Sequence, residues 1–159
     1  MLGLAAQIAL DGATFAFDKL YTYAVPPEMH KSLKAGCRVT VPFGGGNIKK
    51  QGMVFCIFKT ELKGLKSVIS VTDKEPVLNP EMLKMCEFMR ENYFCTYFDA
   101  VHGVLPAGLN YRLVNYYSAN TEFTVFSLLN ERERTVYDFL SAKGEKDETA
   151  LKKQLGADE

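Results

Sequence analysis

Very little in this sequence is equipped for catalysis. There are only two histidines, His30 and His102. They lie far apart and have no carboxylate or cysteine at triad or metal-ligand spacing, so histidine-centred hydrolysis and a histidine metal site are not expected. The four cysteines, Cys37, Cys56, Cys86 and Cys95, form no CxxC pair and no cysteine–histidine cluster. They read as reduced, mostly buried thiols. No apolar stretch approaches the roughly 18 residues that a membrane span requires, and no membrane partner is expected. The opening MLGLAAQIALDG has neither the basic start nor the long apolar core of a secretory signal, which points to a cytoplasmic protein. The glycine-rich GGGNIKK at 44–50 lacks the Lys-Ser/Thr of a phosphate loop and leads into a strand pattern rather than a helix, so it is not a nucleotide site.

Net charge is also missing: 19 basic residues balance 19 acidic ones. This argues at first against a nucleic-acid partner, because such domains are usually basic. The distribution is uneven, however. Residues 1–66 hold 9 Lys/Arg and 4 Asp/Glu, a net +5, and the remaining residues hold 10 and 15, a net −5. Within 31–66, Lys31, Lys34, Arg38, Lys49, Lys50, Lys59, Lys63 and Lys66 face a single acid, Glu61. A basic surface of this kind is either a DNA-facing strip or a solvated face with no partner.

What the chain does have is short strands followed by capped helices. Segments 4–10, 20–25, 37–43, 52–59 and 66–72 alternate at a period near two or run continuously apolar, with breakers at Pro26-Pro27, Ala35-Gly36 and Gly44–Asn47. Five short strands at this spacing predict a small OB-like antiparallel β-barrel, since an open sheet would leave unpaired edges. Asn79 then caps a helix with Pro80 in its first position and Met82, Cys86, Met89 and Tyr93 on one face. A second helix over 97–104 stops before Pro106, and the two helices are expected to cap the barrel.

A boundary near residue 110 divides a barrel domain, 1–110, from a second unit, 111–159. In the second unit 112–118 reads as a strand. Asn130, with Glu133 three residues on, starts a helix carrying Val136, Phe139 and Leu140, and Asp147 starts another after a turn at 143–146. Helix, glycine turn and helix form the skeleton of a partial winged-helix (helix-turn-helix) unit. The fold class is therefore mostly β with α.

The order of the pieces carries a resemblance. Tyr23-Ala24-Val25-Pro26 matches a "YxVP" strand, Gly36–Gly44 matches "GxRVxVPFG", and Gly52 opens the next strand. Leu65-Lys66-Ser67-Val68 matches "LKxV", Glu75–Leu78 matches "EPVL", and a helix, a Tyr-Phe pair and Leu105–Gly108 as "LPxG" follow. Over residues 18–110 the chain resembles the N-terminal region of the primosomal protein N′ (PriA) family of replication-restart helicases. The resemblance implies a non-enzymatic, nucleoid-associated DNA-binding module that holds the 3′ end of a nascent leading strand at a stalled fork. It further implies that ATP, magnesium and zinc belong to the helicase part of the intact protein, and that single-strand-binding protein and primosome loader proteins are its partners. The pocket that it implies falls on Tyr21, Thr22, Tyr23, Gly44 and Lys66. Thr22 departs from the pattern, because better-known members carry an aspartate there that reads the terminal nucleotide.

Two features follow from the residues alone. Tyr21 and Tyr23 share a face opposite Thr22 and are either barrel core or the aromatic surface on which an unstacked base lies. Arg38, Lys49 and Lys50 are the candidates for DNA-backbone contacts of the salt-sensitive, sequence-independent kind. The alternative function is a protein-interaction barrel whose basic strip docks an acidic partner.

Overall fold

The structure is a computed structural model that describes residues 2–106, 108–109, 114 and 116–156. The chain divides into two compact units, residues 1–112 and 113–159.

The first unit is built on a five-stranded sheet. Its strands are β1 (Leu2–Leu10), β2 (Tyr21–Ala24), β3 (Arg38–Phe43), β4 (Ile48–Glu61) and β5 (Ser70–Val71), in the order β2-β1-β4-β3-β5 with antiparallel neighbours. Sequence alternation sets the two faces. Ala6, Ile8, Leu10, Tyr23, Val25, Val39, Val41 and Val54 point inward and form one buried cluster. The alternation of β4 breaks once. The register with β1 shifts between Gln7, opposite Cys56, and Ile8, opposite Val54. Phe55 is thus an extra residue in β4, a bulge that bends the strand. Phe55 is buried in the outer cluster while Cys56 is exposed, which leaves Cys56 as the one cysteine on the surface.

The segment after β4 closes the barrel. Ala24 of β2 donates its N–H to the Lys66 carbonyl at 2.8 Å and accepts from the Val68 N–H at 3.0 Å. Ala24 and Ser67 form a parallel bridge. One residue further, the Ile69 N–H donates to the Thr40 carbonyl of β3 at 2.9 Å. The expected strand over 66–72 is therefore shared: Lys66–Val68 satisfies the edge of β2 and Ile69–Val71 the edge of β3, so both sheet edges are covered.

The helices α1 (Pro80–Asn92) and α2 (Tyr97–Val104) cover the outer face of the sheet. Leu83, Cys86, Phe98, Ala100 and Val101 pack against Ala9, Met53 and Phe55. Burial pushes the Cys86 thiol up to about 11, as befits a packing group rather than a nucleophile. Asn79 caps α1 through the Met82 N–H, and Thr96 and Asp99 form a reciprocal capping box at α2. Of the helix face expected to be buried, Cys86 is fully so, and Met82 and Met89 partly. Tyr93 is exposed because α1 ends at Asn92 and Tyr93 turns to extended backbone. The buried side chain of Asp18 joins the barrel to the helices by accepting from the Arg90 guanidinium and from the Tyr97 N–H.

Two glycines permit close approaches. A Cβ on Gly52, in the middle of β4, would stand 2.4 Å from Ile8 Cγ2 and 2.9 Å from the Ala9 carbonyl. Gly36, at φ +85°, lets Val77 and Leu78 dock on its carbonyl, and a side chain there would meet the Leu78 oxygen at 1.9 Å.

Arg38 requires a correction. Expected on the DNA backbone, it is instead buried with Asp73, their side chains only 3% and 9% exposed. Asp73 Oδ2 accepts from the Arg38 N–H at 2.8 Å and from its Nε at 3.0 Å, and Arg38 Nη1 donates to the Leu109 carbonyl. The reason lies in the alternation of β3: Arg38 shares with Thr40 the face opposite Val39 and Val41, and the chain from Thr72 onward runs across that end.

In the second unit β6 (Tyr116–Tyr117) pairs with β7 (Lys146–Asp147), so the turn expected at 143–146 leads directly into a short strand. The rest of the strand expected over 112–118 falls partly outside the described residues. Helix α3 (Glu131–Lys143) carries the Asn130–Glu133 capping box, and Asp147 caps α4 (Glu148–Leu155) through the Ala150 N–H at 2.9 Å. Phe123 and Phe126 pack on Tyr137, whose hydroxyl donates to the Asn120 carbonyl.

Two stability outcomes follow. Asp73→Ala leaves the Arg38 guanidinium buried without its counter-charge and is expected to cost about 3–5 kcal/mol in urea unfolding. Desolvation raises the Asp73 carboxyl, but the Arg38 hydrogen bonds and charge together outweigh it, and the group is held below its ordinary value. Its contribution is thus complete above the unfolded-chain value of about 3.9 and is lost as pH falls through the lower folded value. Asp73→Asn should accordingly flatten the acid limb of the stability–pH curve. Gly52→Ala should destabilise by about 1–3 kcal/mol through overpacking against Ile8, read as a lowered unfolding midpoint.

Candidate nucleic-acid interface

Barrel closure brings together three segments that are remote in sequence. The start of β2, the β3–β4 turn and Gly64–Lys66 surround an open pocket of about 240 Å³. It is lined by Tyr21, Thr22, Tyr23, Gly44 and Lys66, with Pro42, Phe43, Gly64 and Leu65 completing the wall.

The β2 alternation decides which groups the pocket presents. Tyr23 is core, 4% exposed, and its hydroxyl donates to the Pro42 carbonyl at 3.1 Å. Burial, with a smaller effect from neighbouring Tyr21, pushes its phenol above the ordinary value. Its ring is therefore a structural wall rather than a free stacking surface. Tyr21, on the same face nearer the barrel mouth, is half-buried. Its ring stands edge-on to Phe43, with centroids 5.3 Å apart at 82°, and its hydroxyl donates to the Phe17 carbonyl at 2.8 Å. Thr22 points the other way, opposite Gln7 of β1, and is half-exposed at the pocket.

The turn supplies the rim. Gly44 adopts φ +68° and Asn47 φ +51°, a left-handed conformation that asparagine tolerates better than most residues. Nothing lies within 4 Å of the position a Gly44 side chain would occupy, so the backbone is open to an approaching ligand. Lys66 Nζ crosses from the closing segment, donating to the Gly44 carbonyl and to Asn47 Oδ1 at 2.7 Å. Both acceptors are neutral. The two bonds fix the position of the ammonium without cancelling its charge, which suits it to an anionic or hydroxyl-bearing ligand.

The five residues singled out from the sequence therefore share one pocket, whereas the three backbone candidates do not join it. Arg38 is committed to Asp73. Lys49 is exposed on β4 opposite Pro42, and Lys50 lies opposite Val41, half-buried beside a neighbouring depression. Sequence reasoning missed Phe43 as a wall and Asn47 as the second acceptor for Lys66. Phe43 stands within the VPFG motif and was there to be found; nothing local marks Asn47.

Both histidines make local contacts. His30 Nε2 lies 3.1 Å from the Val25 carbonyl, and His102 packs edge-on against Phe98. Among the described residues no group of three or more His, Cys, Asp or Glu is placed to hold a metal ion, and no helix is long and apolar enough to cross a membrane.

Residues 7–106 match the family model of the PriA 3′ DNA-binding domain (3′BD). The chain is also similar to the replication restart protein PriA of Bacillus subtilis (strain 168), 30% identical over 107 residues. That alignment covers 65% of this chain and 13% of the relative, so the chain corresponds to only a small part of the relative's length. The match covers well over half of the chain, from the middle of β1 through both helices, and the chain belongs to the PriA 3′ DNA-binding domain family.

Proposed function

We propose that the pocket between β2, the β3–β4 turn and Lys66 receives the 3′-terminal nucleotide of a DNA strand. The observation that carries this reading is the Lys66 ammonium, held at the pocket by the Gly44 carbonyl and Asn47 Oδ1 with no carboxylate partner among the described residues. A strand end differs from the interior of a strand by one free hydroxyl and one missing phosphodiester. A pocket of this size with a cation at its rim and bare backbone at Gly44 has room for one terminal nucleotide, and end recognition requires that a continuing strand bind it less well. Lys66 is placed to donate to the terminal sugar hydroxyl or its phosphate. The Thr22 hydroxyl both donates and accepts, and is placed to meet a base edge or sugar without adding charge. The Tyr21–Phe43 pair supplies the aromatic surface that an unstacked base needs.

In the intact protein this module would present the 3′ end of the nascent leading strand at a stalled fork to an ATP-driven helicase motor. ATP, magnesium and zinc, and the contacts with single-strand-binding protein and primosome loaders, would lie largely in or alongside that larger protein. Residues 113–159, with two capped helices and a two-stranded sheet, fit the start of a winged-helix unit.

Fluorescence anisotropy tests the reading with two single strands of one sequence, one ending in a 3′-hydroxyl and the other in a 3′-phosphate. The hydroxyl end should bind more tightly, and equal affinities would contradict end recognition. Lys66→Ala should weaken binding to the hydroxyl end and lower the slope of log affinity against log salt by about one. An unchanged slope would remove Lys66 from the contacts.

A further inference from the structure

The barrel mouth holds a second cavity, larger than the first. It occupies about 310 Å³ between the turn after β1, the 3₁₀ turn Phe15–Phe17, the start of β2 and the β3–β4 hairpin. Tyr21 and Phe43 line both cavities. Their edge-on pair is therefore a partition, with the end pocket on one side and this slot on the other.

The chemistry of the slot is specific. Leu10 and Phe17 join the Tyr21–Phe43 pair as apolar, largely aromatic walls, and Asp11 and Thr14 add a carboxylate and a hydroxyl to the lining. Phe17 is 71% exposed, an aromatic ring left in water at the cavity edge. Lys50 stands at the mouth with its ammonium against Gly12, whose φ of +68° and missing side chain leave room for it: a Cβ there would lie 3.2 Å from Lys50 Nζ. No carboxylate pairs with Lys50 among the described residues. A second cation, Lys19, lies 5.1 Å from the Tyr21 ring centroid. An aromatic slot lined by one ammonium, Lys50, and one carboxylate, Asp11, matches a nucleobase, whose amino edge can donate to the carboxylate, joined to a phosphate that meets the ammonium. A purely apolar ligand would leave Lys50 unused, and a free anion would leave Phe17 unused.

We propose that this slot binds the nucleotide immediately 5′ to the terminal one, its base against Phe17 and the Tyr21–Phe43 partition and its phosphate at Lys50. The proposal rests on the end-pocket reading, because it is the shared partition that places adjacent nucleotides on its two sides. It also gives Lys50 a defined place on the strand, where the sequence indicated a backbone contact without a position. The consequence is a footprint of two nucleotides with base contacts at both, so that an end frayed by a single nucleotide is gripped less well than one frayed by two.

Abasic substitution in a single-stranded oligonucleotide with a 3′-hydroxyl tests this directly by anisotropy. Removing the penultimate base should weaken binding about fivefold or more, within the range of one lost base–aromatic stack. Removing a base six positions inward should change it less than twofold. In Phe17→Ala the penultimate effect should shrink to that of the interior site, and Lys50→Ala should weaken the intact strand. Both substituted side chains lie outside the buried clusters, so far-ultraviolet circular dichroism and the melting midpoint should be unaltered. Equal effects of penultimate and interior abasic sites, with the 3′-hydroxyl still preferred over the 3′-phosphate, would overturn the slot and leave the end pocket standing. Loss of that preference in the unsubstituted protein would overturn both.

Discussion

The structure depends on how one segment, Lys66–Val71, is divided between two strand edges. A five-stranded sheet of this size has two edges with unpaired amides and carbonyls. Here Ala24 of β2 takes Lys66 and Val68, and Thr40 of β3 takes Ile69. The barrel closes, its core is sealed, and the side chain at the start of the closing segment is delivered to a fixed place. That side chain is Lys66. The backbone bonds that complete the barrel thus set where the Lys66 side chain starts, and two exposed side-chain hydrogen bonds carry its ammonium to Gly44 and Asn47 and hold it at the turn.

The same packing decides which basic residues remain for a ligand. The excess of Lys and Arg in 31–66 overstates the DNA-facing charge, because part of it is paired internally. Arg38 neutralises Asp73 in a nearly inaccessible pair, and Lys34 meets Glu75 at the surface at 2.8 Å. Both acids belong to the run that crosses from the barrel towards α1, so these pairs position that run rather than attract a strand. Lys66 and Lys50 differ in kind: the partners of the first are neutral, and the second sits at the edge of an aromatic cavity. Affinity should therefore come from a few placed cations together with stacking rather than from a broad field, which is consistent with a chain of zero net charge.

Much of this was legible beforehand because local chemistry and tertiary structure agree. The caps at Asn79, Asn130 and Asp147 are side chains bonding their own helix starts, so sequence neighbours suffice to find them. Period-two alternation located the strands, and the glycines at 36 and 52 sit where a neighbouring backbone or side chain comes too close for a Cβ. The failures share one cause. Arg38 looked like a surface cation because its partner lies 35 residues away, and Asn47 drew no attention because its role depends on a lysine 19 residues on. The bulge at Phe55 is invisible in an apolar run that reads equally well in either register. The choice between core and ligand surface for the two tyrosines turned on depth in the barrel: Tyr23 lies among Val25, Val39 and Val41, whereas Tyr21 reaches the mouth.

The central claim, that barrel closure builds a pocket for a strand terminus, is tested most directly by amide chemical shifts during titration with a short single strand bearing a 3′-hydroxyl. The account predicts that the largest shifts fall on Thr22, Gly44 and Lys66, with Leu83 and Val101 on the helix-covered face unmoved. Shifts concentrated in the helices or in residues 116–156, with those three amides unchanged, would contradict it.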